Sequence, residues 1–89
     1  MDALVRAHLT KDLAECLCRM GRAAEALPLA TEALAVFGEA GHTDTVAPAL
    51  LILGHALSGV GRHDDAIRTL DTGLAHVRVY RSKRRRTQR

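Results

Sequence analysis

The chain has 89 residues, which allows one small domain with a shallow core. Its net charge of +3 conceals a division: residues 78–89 hold seven of the 13 Lys and Arg, whereas residues 1–77 hold six basic and ten acidic residues, a net of −4. Cys16 and Cys18, two positions apart, cannot form a disulfide framework, the most apolar run (46–53) is too short to span a membrane, and the N-terminus, with Asp2, Arg6 and His8 in an amphipathic pattern, lacks the build of a secretory leader.

Ala and Leu recur throughout, and Phe37 and Tyr80 are the only aromatics, so the core is expected to be aliphatic and helical. Residues 3–20 predict a first helix, with Leu4, Leu9, Leu13, Leu17 and Met20 near one face, Asp2 as N-cap and Gly21 as its stop. A second helix is predicted from about Ala24 to Phe37, carrying Ala26, Leu27, Ala30, Ala33, Leu34 and Phe37 as an unbroken stripe. Pro28 is tolerated if it falls in or just after the first turn, and Gly38 and Gly41 bracket a short loop. A third helix starts near Asp44, capped by Thr43 or Asp44, with Pro48 near its first turn, and runs to about Val60 before Gly61. A fourth spans about His63 to Tyr80 with Ala66, Ile67, Leu70, Leu74 and Val77 on one face. Residues 81–89 have no apolar periodicity and read as a disordered or frayed basic tail, leaving a domain over 1–80 made of hairpins 3–37 and 44–80.

The two hairpins are copies. At an offset of 40 residues Leu13 meets Leu53, Leu17 meets Leu57, Gly21-Arg22 meets Gly61-Arg62, Ala26 meets Ala66 and Leu34-Ala35 meets Leu74-Ala75. Ala14 with Gly54, Glu25 with Asp65 and Leu27 with Ile67 are conservative pairs around them. Identity is thus concentrated at turns and at core positions, as a structural repeat requires. Small residues at Ala14/Gly54, Ala26/Ala66 and Ala33/Gly73 let the helices of each hairpin approach closely.

These residues carry a resemblance. Leu53-Gly54, Gly61, Asp65-Ala66-Ile67 and Gly73-Leu74, with Leu13-Ala14, Gly21, Glu25-Ala26-Leu27 and Ala33-Leu34 in the first copy, resemble the tetratricopeptide repeat over residues 8–77. Leu17, Ala30, Leu57 and Leu70 replace the family's usual aromatics, and the period of 40 exceeds the common value of about 34. Both traits are similar to the longer-period repeats of kinesin light chains and of bacterial multidomain regulators and ATPases. The resemblance implies an all-α fold of two stacked antiparallel hairpins, a short α-solenoid, serving as a protein-interaction scaffold or adaptor. It also implies a ligand face along the first helix of each hairpin, at Lys11, Asp12, Glu15 and Arg19 and at Leu51, Ile52, His55 and Ser58. The family's carboxylate-gripping mode needs asparagine, and this chain has none.

Catalysis has no constellation to use. Cys16 and Cys18 point in different directions on a helix and read as small, partly buried apolar residues. The five histidines, His8, His42, His55, His63 and His76, include no pair at the four-residue helical zinc spacing, so neither metal nor cofactor is expected. His63-Asp64-Asp65 reads as a helix start whose acids complement the dipole. A nucleic-acid partner would depend on Lys83, Arg84, Arg85 and Arg86, and no aromatic follows Tyr80 to stack on bases. The expected partner is a protein or peptide, in the cytoplasm, with no membrane involved. Arrays of this kind usually need three or more repeats, and the last helix still carries an apolar face. The chain is therefore expected to be part of a longer regulatory protein or to form a homodimer through its last helix.

Overall fold

The computed structural model describes the backbone of residues 2–87 and the side chains of residues 2–79 and 81. Four helices account for nearly all of it: α1 (Ala3–Arg19), α2 (Ala23–Ala40), α3 (Thr43–Gly59) and α4 (His63–Thr87). Helices α1 and α2 form one antiparallel hairpin, and α3 and α4 form the second. The hairpins stack so that α3 touches α1, α2 and α4, whereas α4 rests on α3 alone among the described residues.

Each boundary has a local cause. The Asp2 carboxylate accepts a hydrogen bond from the Leu4 amide at 3.1 Å and caps α1. The two hairpin turns are duplicates at the 40-residue offset. Arg22 and Arg62 each donate a backbone N–H at 2.8 Å to the Leu17 and Leu57 carbonyls, while Gly21 and Gly61 stand at φ 76° and 86°. That left-handed conformation costs an L-residue with a Cβ roughly 1–2 kcal/mol. A Cβ built on Gly61 meets nothing within 4 Å, so the strain is purely one of backbone. Gly61→Ala is accordingly expected to lower stability by about 1–2 kcal/mol. Gly38→Ala, at a helical glycine with equally open surroundings, is expected to raise it by about 0.5–1 kcal/mol. Denaturant titration of the two variants reads the difference.

Three boundaries differ from the sequence expectation. Helix α2 continues through Gly38 to Ala40, because the turn needs only one left-handed residue and Gly41 (φ 71°) supplies it. Thr43 is the first residue of α3, not its cap; His42 is the N-cap, without a side-chain bond, and Thr45 Oγ1 donates to the His42 carbonyl at 2.9 Å. Helix α4 runs past Tyr80 to Thr87, through a stretch of Arg and Lys with no Gly or Pro to stop it. Pro28 and Pro48 lie inside α2 and α3 on exposed faces, and Ala24 and Asp44, whose carbonyls lose the proline donors, are exposed as well.

The core is small-residue packing with few large pieces. One cluster, at the junction of the hairpins, joins Ala7, Ala33 and Phe37 to Val46, Ala49 and Leu50. The other joins Ala14, Leu17, Ala26 and Ala30 to Ile52 and Ala56. Both clusters combine residues from α1 and α2 with residues from α3, so the apolar core straddles the stacking of one hairpin on the other.

Candidate functional site

The first helices of the two hairpins, α1 and α3, lie against each other and present a composite face. On α1 it is charged. Arg19 donates to the Glu15 carboxylate at 2.9 Å, and Lys11 Nζ stands 3.9 Å from Asp12 Oδ1. Asp12 and Arg19 are open to solvent, whereas the Lys11 side chain is only 18% exposed, its stem lying along the helix surface. Such exposed pairs add little stability, so their charges remain available to a partner. On α3, His55 and Ser58 are exposed and Leu51 is 50% exposed.

Ile52 does not join this face. It is 6% exposed and sits in the second core cluster, against residues of α1 and α2. The apolar circumference around residues 50–53 is explained by packing: α3 is sandwiched between α1 and α2 on one side and α4 on the other, and only Leu51 of the four is left open.

A second concave surface is an open groove of about 400 Å³ between α3 and α4, which joins Leu51 to Leu70, Leu74 and Val77 of the apolar face expected on the last helix. Ala47, Pro48 and Leu51 form one wall and Leu70, Gly73, Leu74 and Val77 the other. The signal that locates it is the repeat itself. Shifted back by 40 residues, Ala47, Gly73 and Val77 become Ala7, Ala33 and Phe37, all buried where hairpin one meets α3.

The reactive side chains are placed as follows. Cys16 is exposed, not partly buried as expected, and Cys18 is half-buried; both are free thiols. Burial, and secondarily the Glu15 charge, raises the Cys18 pKa above the ordinary thiol value. At the start of α4 the Asp65 carboxylate bonds Arg62 at 2.8 Å and also Arg68, and these bonds hold its pKa below the usual carboxylate range. Arg22 and Glu25 make the same link in hairpin one, at 2.7 Å, so it belongs to the turn and not to a ligand site. Among the described residues no three His, Cys, Asp or Glu side chains gather where a metal could be held, and no helix is long and apolar enough to cross a membrane. The side chains of Lys83, Arg84, Arg85 and Arg86 lie outside the described residues.

Comparison with known proteins agrees with this architecture. The family model for the tetratricopeptide repeat matches residues 5–78. No curated protein and no solved structure matches the chain. Repeats of this kind generally mediate protein–protein interaction and are typically non-enzymatic scaffolds. With its two duplicated hairpins, its matching glycine turns and a family match over most of its length, the chain belongs to the tetratricopeptide repeat family.

Proposed function

We propose that this chain is a protein-interaction module, a scaffold or adaptor, that receives a peptide or helix along the α1–α3 face. The contacting residues would be Lys11, Asp12, Glu15 and Arg19 on α1 with Leu51, His55 and Ser58 on α3. The observation that carries this reading is the division of labour on the two helices. Ala14, Leu17, Ile52 and Ala56 are buried between the hairpins, while Asp12 and Arg19 of α1 and the Leu51–His55–Ser58 edge of α3 are exposed on adjoining helices, with Lys11 and Glu15 half-buried beside them. A surface with charges on one side and an apolar edge on the other suits an amphipathic ligand, with the charges fixing its register and Leu51 its apolar side. Two unpaired thiols fit a reducing, cytoplasmic setting.

Selection of a displayed random-peptide library on the immobilised full chain tests this. Enriched peptides are expected to bind Glu15→Lys and His55→Ala at least roughly tenfold more weakly, a loss of about 1.4 kcal/mol, with helical circular dichroism unchanged. Deleting residues 83–89 should leave that binding intact. Peptides indifferent to both substitutions would defeat the reading. Salt-sensitive DNA or RNA binding that disappears with the same deletion would replace it with a nucleic-acid function of the basic segment.

A further inference from the structure

The groove between α3 and α4 has a counterpart inside the molecule. The surface of hairpin one at the 40-residue offset is covered by α3, and there Ala33 and Phe37 are wholly buried. On hairpin two nothing covers it among the described residues: Leu51 is 50% and Leu74 48% exposed. Gly73 forms the floor, so close to α3 that a Cβ built on it would lie 3.4 Å from Leu50 Cβ and 3.9 Å from the Ala47 carbonyl. The groove is therefore of the type that this protein buries against a helix.

We infer that a second copy of this chain packs on its α4 wall, two α4 helices lying antiparallel across a two-fold axis near Leu74, with Leu51 on the opposite rim left to the α1–α3 face. Two features favour this occupant. The first is self-complementarity. Each copy offers a small-residue floor at Gly73 and Ala47 and a half-exposed Leu74 beside it, so the leucine of each can enter the groove of the other, as an isologous interface requires. The second is charge. The first turn of α4 holds Asp64 and Asp65, the latter bonded to Arg62 and Arg68, so the start of the helix carries no net charge, whereas its sequence ends in Arg81, Lys83, Arg84 and Arg85; Leu74 lies near the middle. Antiparallel pairing keeps the two basic ends apart, sets each beside a neutral helix start that contains Asp64, and opposes the two helix dipoles.

The other pairing open to a second copy, α1 seated in the groove as α3 is seated on hairpin one, is disfavoured by two residues. At the 40-residue offset Asp12 replaces the buried Ile52, and Arg19 replaces Gly59, where even a Cβ would overlap the Ala23 methyl. A face of this size makes a weak dimer, visible as a concentration dependence.

Sedimentation velocity of the full chain over a concentration series, under reducing conditions, tests the proposal. The native chain is expected to move from monomer to dimer and no further. Leu74→Glu is expected to raise the dissociation constant at least roughly tenfold, and Leu13→Glu, on the exposed face of α1, to leave it unchanged. Both sites are about half exposed, at 48% and 52%, so circular dichroism should show both variants folded. A second measurement fixes the geometry. In a chain carrying Cys16→Ser and Cys18→Ser, Leu74→Cys should form an intermolecular disulfide on mild oxidation. A chain monomeric at every concentration would overturn the proposal. Assembly beyond dimers, or dimers lost with Leu13→Glu but kept with Leu74→Glu, would overturn it in favour of head-to-tail stacking.

Discussion

Phe37→Ala is expected to lower the stability of the chain by about 3–5 kcal/mol, a large share of what holds it folded. Phe37 is wholly buried and, among the described residues, is the only large side chain so enclosed. It stands at the end of α2, in the cluster where hairpin one meets α3, with the His8 ring tilted against it at a centroid distance of 4.8 Å. Its neighbours Ala7, Ala33 and Ala49 are too short to collapse into the space it would leave. Removing a buried phenylalanine costs about 3–5 kcal/mol, whereas a chain of this length is held by roughly 4–13 kcal/mol in all. Denaturant titration followed by helical circular dichroism measures the loss. A loss under about 1 kcal/mol would mean that the hairpins are held together elsewhere than at this junction. Phe37→Leu, which keeps most of the volume, should cost under about 1.5 kcal/mol.

What made the fold readable from sequence was duplication. Gly21 and Gly61 mark the turns because only a residue without a side chain takes φ of 76° and 86° freely, and the same spacing of Leu, Ala and Gly on either side repeats that reading. Gly38 misled for the complementary reason: a glycine also fits within a helix, and composition does not say which of two nearby glycines turns left-handed. The end of α4 was hidden because Arg and Lys are good helix formers without apolar periodicity, so the usual signal stops before the helix does. Ile52 was misplaced because α3 is packed on two sides, and a helix apolar around much of its circumference does not reveal which of Leu51 and Ile52 faces out. The open apolar face of α4 is legible in its periodicity, whereas the α3 wall of the groove, Ala47 and Pro48, carries no such signal.

Unequal pairing inside the two copies gives the second large effect. Where hairpin one sets Ala14 against Ala30, hairpin two sets Gly54 against Leu70 at the same offset. The contact is tight: a Cβ built on Gly54 would lie 2.6 Å from Leu70 Cδ2 and 2.7 Å from Leu70 Cγ. Leu70 thus fills the space that a side chain at position 54 would need. Gly54→Leu would have to displace Leu70 or part α3 from α4. Overpacking of this kind costs about 1–3 kcal/mol, more than the roughly 0.8–1 kcal/mol gained by removing a glycine from a helix interior. Leu70→Ala alone opens a void beside the groove and is expected to cost about 2 kcal/mol, the low end for a leucine that is only half-buried. Together the two substitutions exchange large for small across the same contact, so the double variant should be more stable than the sum of the single losses predicts by about 1–3 kcal/mol. A double-mutant cycle in denaturant reads that coupling. Simple additivity would show that α3 and α4 shift to admit each change separately, and that the hairpin interface is more compliant than its glycine implies.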